Sequence, residues 1–355
     1  MPPHHARIDA SELERFVARV LIAAGARRDD AAATAAHLVE ADLKGHDSHG
    51  AALLPTYLDH IRDGLVTLDA SDRIVRETPV LLQIDADGGW GVPVTHRLMA
   101  RAIDKAKTCG LAAATLSHAH HIGRIGAYAE QAAEAGLVSL HFVNVTDHAP
   151  LVAPYRGSDA RFGTNPVCIA FPATAARPAF VHDMATSRIA LGKVRVAAAR
   201  GLPVTDGCLI DTRGMPTTDP TGMAGFDMKG ALTPAGLHKG YGLAFACEFL
   251  AGILSGNGTI QPQNPRRGGL QNGLFSVLVD PSAFGDPDWM EREMDAMADY
   301  ALASPPMDWD SPVLYPGAPE RAFEGKRRRE GIPVDAATLA RLNAAAEAAG
   351  IADRL

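Results

Sequence analysis

The hydrophobic periodicity of the chain changes at Ile74, and that change fixes which folds are open to it. Upstream, Leu13, Phe16, Val17, Val20 and Leu21 recur at helical spacing before Gly25. Ser11 and Glu14 form an S-x-x-E capping box for this first helix. Asp30 is expected to cap a second helix over 31–43, with Gly45 just past its end, and 56–64 reads as a third. Downstream, strand-like runs at 79–85, 111–116, 137–143, 167–171, 180–183 and 275–279 alternate irregularly with helical stretches at 95–109, 124–135, 186–199 and 238–254. This predicts an α/β (α+β) fold. Residues 1–73 form a helical unit, completed by C-terminal helices within 290–355, and 74–289 form a mixed-sheet α/β domain that carries the site. The helix expected over 336–349 packs back on the N-terminal unit.

Composition narrows the function. A chain of 355 residues has room for about two domains. Its 41 Asp+Glu against 34 Lys+Arg leave a net charge of −7, a poor basis for holding nucleic acid. The basic run 326–329 reads as a solvated surface segment. The four cysteines contain no C-x-x-C pair, which suits a reducing compartment. No apolar leader opens the chain, and the longest apolar stretch, 240–259, carries Glu248 at its middle, a costly residue inside a bilayer. The expectation is a cytoplasmic protein with no membrane partner.

Polar clusters interrupt the apolar pattern. Gly45-His46-Asp47-Ser48-His49-Gly50 follows a helix, where a histidine is accessible for acid–base work; a plain turn is the simpler reading. Ser117-His118-Ala119-His120-His121-Ile122-Gly123-Arg124-Ile125-Gly126 joins a strand to a helix, the place where α/β proteins put ligands. His118, His120 and His121 lack the helical H-x-x-x-H spacing and carboxylate partners of a metal site, so no metal is expected. A third, dispersed set comprises 162–166, 182–187 and 237–242. Thr186 or Ser187 could be a helix cap or a ligand contact, and the glycines around Lys239 permit close approach of a phosphate or of another backbone. No G-x-G-x-x-G follows a strand, no Walker A motif is present, and no G-x-S-x-G elbow occurs. An ordinary Rossmann domain, a P-loop enzyme and an α/β-type serine hydrolase are therefore disfavoured.

Taken in order, these segments resemble the malate/L-lactate dehydrogenase family, whose nicotinamide-binding domain is not a Rossmann fold. The likeness runs from about Leu13 to Pro333. It rests on 45–50, 120–126, Val-Ala-Pro-Tyr-Arg-Gly at 152–157, Arg-Phe-Gly-Thr-Asn-Pro at 161–166, Asp-Met-Ala-Thr-Ser at 183–187, Pro-Thr-Thr-Asp-Pro at 216–220, His-Lys-Gly-Tyr-Gly at 238–242 and Leu-Tyr-Pro-Gly at 314–317. Within the family the motifs are nearest the hydroxycarboxylate dehydrogenases. The resemblance implies hydride transfer between NAD or NADP, with NAD favoured, and a 2-hydroxy acid or its 2-oxo form, in a homodimer. It implies His49 as acid–base group, with His121 orienting the substrate or sharing the proton, and Ser48 and Arg124 as substrate contacts. For the cofactor it implies Asp183, Met184, Ala185, Thr186, Ser187, His238, Lys239, Gly317, Ala318, Pro319 and Glu320, and in a second tier Gly123, Ile125, Asn272 and Thr146. Two positions depart from the family pattern. Leu53 stands where many members carry an arginine for the substrate carboxylate, and Pro-Gly-Ala replaces the usual Pro-Gly-Glu. The apolar Leu53 and Leu54 weigh towards a bulkier or aromatic substrate side chain, and a cyclic imine acid is the alternative substrate. A catalytically silent binding protein would have no chemical need for His49, His121 and Lys239 together.

Overall fold

The computed structural model describes residues 6–223, 228–308 and 310–355; the first five residues, part of the segment read as lacking a leader, lie outside the described residues. The chain opens with β1 (Ala6–Ile8), α1 (Ala10–Ala23), α2 (Arg28–Leu43) and α3 (Leu54–Arg62). The sheet is built from β2 (Arg73–Glu77), β3 (Leu81–Asp85), α4 (Gly91–Cys109), β4 (Leu111–His120), α5 (Gly126–Glu134), β5 (Val138–Thr146), β6 (Val167–Phe171) and β7 (Phe180–Met184). Next come α6 (Leu191–Ala199), the short strands β8 (Leu209–Ile210), β9 (Pro216–Thr217) and β10 (Ala231–Leu232), and α7 (His238–Cys247). β11 (Gln271–Val279), α8 (Pro287–Leu302), α9 (Ala318–Glu330), β12 (Ile332–Val334) and α10 (Ala336–Ala348) complete the chain.

Seven strands form the mixed sheet in the order β2-β3-β4-β11-β5-β6-β7. Only β3 and β4 are parallel, and α4 supplies the crossover that parallel neighbours require. Alanines at 112 and 114 on β4 and at 102, 106, 129 and 132 on α4 and α5 let helix and sheet approach closely, around Leu82, Leu98 and Leu116. A second apolar cluster joins α1–α3 to Ile332 and Val334 of β12 and to Leu342 and Ala346 of α10, with β1 and β12 paired antiparallel. α8 does not join that cluster: Thr174 and Arg177, on the turn before β7, bond Asp295 and Asp299 of this helix and hold it to the sheet domain. A third cluster lies under β8–β10 and α6.

Several element ends differ from expectation. Asp9, not Ser11, caps α1; it sits in extended conformation and its carboxylate accepts from the N–H groups of Ser11 (2.9 Å) and Glu12 (3.1 Å). α2 begins at Arg28, so Asp30 lies inside the first turn, buried, 2.7 Å from Arg27. β4 continues to His120 because β11 pairs with it that far. Thr186 and Ser187 stay outside any helix: Thr186 N donates to Thr164 O and Ser187 bridges Pro234, so α6 starts only at Leu191. The helix expected over 238–254 widens into a π-helical turn at Glu248–Ile253. There Glu248 is buried and accepts from Asn165 Nδ2 (2.8 Å), Asn144 Nδ2 (3.2 Å) and Ile260 N (3.0 Å), which satisfies the carboxylate inside protein. Among the described residues no helix is long and apolar enough to cross a membrane.

Candidate active site

The loop after α2 and the turn after β4 bring His49 and His121 together. Gly45, with φ +83°, reverses the chain at the end of α2, and a single 3-10 turn follows over Asp47–His49. Gly50 lies directly against Asp42, where a Cβ would fall 1.7 Å from Asp42 Oδ1. Asp42 Oδ2 accepts from Ala51 N at 2.9 Å and fastens the loop's far end. The rings of His49 and His121 stack with centroids 5.6 Å apart and planes 26° apart. Ser48 Oγ lies 3.0 Å from His49 Nδ1, and the Tyr57 hydroxyl 2.7 Å from His121 Nδ1. With Nδ1 of each ring engaged, Nε2 is the atom left for proton exchange.

Both rings are held neutral near pH 7. Burial pushes His49 down to about 4, and the charge of Arg124 acts in the same direction. Burial also holds His121 well below the usual histidine range, with His49 as the next cause. The pair therefore carries at most one proton at a time. The three histidines read as a weak metal signal point to three different partners. His118 Nδ1 meets Asp85 at 3.0 Å, His120 Nε2 meets His60 at 2.9 Å, and His121 meets Tyr57. Among the described residues no three side chains are grouped to share a metal ion.

Arg124 is neither a surface arginine nor a free one. Its side chain is 3% exposed, and Nη2 lies 2.5 Å from Glu130 and 3.5 Å from Glu40. Lys44 bonds the same two glutamates, each at 2.6 Å. A substrate carboxylate at Arg124 would compete with both. Among the described residues the buried Arg124 Nε has no partner, and the backbone N–H of Arg124 donates to His37 Nε2 at 2.9 Å. The neighbouring Gly123, with φ +71°, also abuts His37, and Ile125 lies in the sheet-domain core.

The cofactor candidates assemble around two places. A cleft of about 170 Å³ is bordered by His46, Arg124, Asp183, Gly317 and Glu320. Asp183 accepts from Gly126 N (2.9 Å) at the start of α5, and burial raises its carboxyl. Glu320 stands 3.5 Å from His46, whose hydrogen bond holds this carboxyl below its usual range. Gly317 caps α9 with φ +86°, so Ala318, Pro319 and Glu320 form that helix's first turn beside the cleft. The second place is the start of α7. Ala235 N donates to Thr186 O (2.8 Å) and Gly240 packs on the same carbonyl, which sets the exposed His238 and Lys239 beside 183–187. Met184 ends β7, and Ala185 leads into this turn. Thr186 Oγ1 donates to Thr164 O (3.0 Å) and Ser187 Oγ to Ile189 O (2.9 Å), which leaves both hydroxyl oxygens able to accept. Gly192 of α6 touches Ser48, so this segment also borders the His49 loop.

Asn272 and Thr146 lie beneath the site, within the sheet. Asn272 Oδ1 accepts from Ile122 N (2.9 Å) and so supports the turn carrying His121, while Thr146 Oγ1 donates to Gln271 O (3.4 Å). The Arg124 guanidinium in the cleft wall, and the Thr186 and Ser187 hydroxyl oxygens beside the start of α7, fit a polar dinucleotide. Sequence reasoning missed Tyr57, His37 and Asp42. Tyr57 and His37 fall in helical patterns that read as core, and nothing local distinguishes them.

A family profile for malate/L-lactate dehydrogenase matches residues 8–343. The chain is 42% identical to hydroxycarboxylate dehydrogenase B of Escherichia coli K12 over 332 residues, 93% of this chain and 91% of that protein. It is 42% identical to the L-lactate dehydrogenase of Cupriavidus necator over 316 residues, 89% of this chain and 90% of that one. The solved malate dehydrogenase of Pyrococcus horikoshii OT3 superposes with a TM-score of 0.87 at 30% identity, covering 99% of this chain and 97% of the other. With nearly its whole length matched in sequence and in fold, the chain belongs to the malate/L-lactate dehydrogenase family.

Proposed function

We propose that the protein, an oxidoreductase by family, interconverts a 2-oxo acid and the corresponding 2-hydroxy acid, with His49 as the acid–base group. The observation that carries this reading is the stacked His49–His121 pair, each ring fixed at Nδ1. When bound, the nicotinamide supplies or accepts the hydride at the carbon bearing the oxygen. In reduction His49, once it has taken up a proton, delivers it from Nε2 to the carbonyl oxygen and returns to the neutral ring; in oxidation the neutral ring takes the hydroxyl proton. Ser48 orients His49, and Tyr57 orients His121, which aligns the substrate or shares the proton.

The cofactor is held by Asp183–Ser187, by His238 and Lys239, and by the first turn of α9 from Gly317 to Glu320; Gly123, Ile125, Asn272 and Thr146 support that site from behind. NAD is the favoured form. The same reading makes the protein a cytoplasmic homodimer. Phe245, Phe249 and Ile253 stand exposed along α7 and its π-helical turn, an apolar face suited to a second copy.

The test is loss of reduced-nicotinamide absorbance with NADH or NADPH against pyruvate, oxaloacetate, phenylpyruvate, hydroxyphenylpyruvate, sulfopyruvate and piperideine-2-carboxylate. Turnover of a 2-oxo acid, abolished by His49→Ala with cofactor binding retained, is the expected result. Turnover of the cyclic imine alone would overturn the substrate class. Loss of cofactor affinity in His49→Ala as large as the loss of turnover would recast His49 as a cofactor contact.

A further inference from the structure

We propose that Arg327, on α9, is a positioning residue that holds the loop carrying His49 in register with His121; this rests on the reading of His49 as the acid–base group. α9 lays one face along that loop. Glu320, Phe323 and Arg327 recur at the three- and four-residue spacing of a single helix face, and they meet three consecutive loop residues. Glu320 stands 3.5 Å from His46. The Phe323 ring closes over Gly45, where a Cβ would lie 2.8 Å from the ring edge. Arg327 Nη1 donates both to the Asp47 carboxylate and to the backbone carbonyl of Asp42, and Nη2 reaches the second Asp47 oxygen at 3.4 Å.

The basic run 326–329 is therefore divided. Lys326, Arg328 and Arg329 are exposed, as a solvated segment should be, whereas Arg327 is only 8% exposed. Its guanidinium ties the last turn of α2, at Asp42, to Asp47, two residues before His49. Asp47 is itself 61% exposed, so without Arg327 water would compete for it. The planar fork is what allows one side chain to bridge a carbonyl and a carboxylate together; a lysine ammonium offers no such fork. Three contacts from one rigid helix thus set where the 3-10 turn lies, and the position of the His49 ring over His121 follows from the turn.

The test compares Arg327→Met, Arg327→Lys and Arg329→Met, the last removing an exposed charge from the same helix. Hydrogen exchange of the segment 45–51, read by mass spectrometry, needs no turnover. In Arg327→Met these amides should exchange about tenfold faster while amides of α4 and α10 are unchanged, as expected for a local opening made easier by one lost charged hydrogen-bond set. kcat with the best 2-oxo acid should fall about 30- to 100-fold, the scale of a displacement near 1 Å, with the cofactor dissociation constant changed less than about threefold. Arg327→Lys should lie between wild type and Arg327→Met in both readouts, and it carries the test if Arg327→Met does not fold. Arg329→Met should match wild type. Unchanged loop exchange in both Arg327 variants would overturn the proposal, as would an equal effect of Arg329→Met. If wild type turns over no 2-oxo acid, the proposed function fails, while loop exchange still decides whether Arg327 holds the loop.

Discussion

Replacing Asp42 with asparagine should make the protein more stable, and increasingly so as the pH rises. Asp42 is 6% exposed, behind the His49 loop. Burial pushes its carboxyl from an ordinary 3.8 up to about 7; the Ala51 N–H and Arg327 oppose that rise, and Asp47 adds to it. Between those two values the folded state keeps a proton that the unfolded state has released. Stability therefore falls as pH rises through this window and levels off above it. At about 1.4 kcal/mol per pH unit, the two units from pH 5 to the folded value cost wild type about 3 kcal/mol. Asparagine is uncharged in both states, nearly isosteric beside Gly50, and can still accept from Ala51 N. Burying an amide NH2 in place of the carboxyl hydroxyl costs about 1 kcal/mol at every pH. The advantage of Asp42→Asn over wild type should thus grow by about 3 kcal/mol between pH 5 and pH 8, from near zero to a clear gain. Urea unfolding of both proteins at pH 5, 6.5 and 8 measures this directly. A stability difference that does not move with pH would show that Asp42 titrates in the ordinary carboxylate range. A variant that loses ground at pH 8 would show that the ionised carboxylate is held favourably by Ala51 and Arg327.

Tyr57→Phe removes the hydroxyl that fixes His121 Nδ1, and kcat should fall about tenfold with the cofactor's KM unchanged; an unaltered kcat would remove Tyr57 from the machinery. Lys239→Ala should raise the cofactor's KM about tenfold through loss of a charge-assisted contact to phosphate, and an unchanged value would place Lys239 outside the site. Gly50→Ala forces a Cβ to within 1.7 Å of Asp42 Oδ1. Since that oxygen is buried, the change should cost about 2–3 kcal/mol in urea unfolding and most of the turnover; a silent Gly50→Ala would show that the loop is loosely held.

The elements that could be read from sequence are those whose signal lies within their own residues. α4 and β6 are examples, the one ending at Gly110 and the other a short run of apolar residues. β2 was missed because all five of its residues are exposed on an edge strand. The extension of β4 to His120 depends on β11, about 150 residues later in the chain, and the π-helical turn depends on Asn144 and Asn165 reaching Glu248 from other strands and loops. The site divides in the same way. The motif segments gather at strand ends and helix starts, where sequence reading places ligands, but the residues that hold them have distant partners. Tyr57 is 64 positions from His121, and Arg327 is 280 from Asp47. The resemblance gave Arg124 as a substrate contact, and its glutamate partners could not be read from local spacing.

Those glutamates change what the site must do electrostatically. Arg124 and Lys44 face Glu40 and Glu130, two cations against two carboxylates, so the cluster is close to neutral as a whole. Leu53, on the turn after the His49 loop, offers no charge. On the proposed reaction, the cation that meets an anionic 2-oxo acid is then a protonated histidine of the His49–His121 pair. Before substrate arrives both rings are neutral near pH 7, because burial holds them down. A carboxylate arriving within about 4–6 Å reverses that penalty and draws a proton onto one ring. Substrate binding and arming of the general acid thus become one event. Calorimetric titration of the protein and reduced cofactor with oxamate, a carboxylate analogue of pyruvate, in buffers of different ionisation enthalpy should record uptake of about one proton at pH 7. Uptake should shrink towards zero as the pH falls to the histidine's own range near 4. Tight binding without proton uptake at pH 7 would mean that another cation, with Arg124 Nε the first candidate, receives the carboxylate and that the proton for reduction comes from elsewhere.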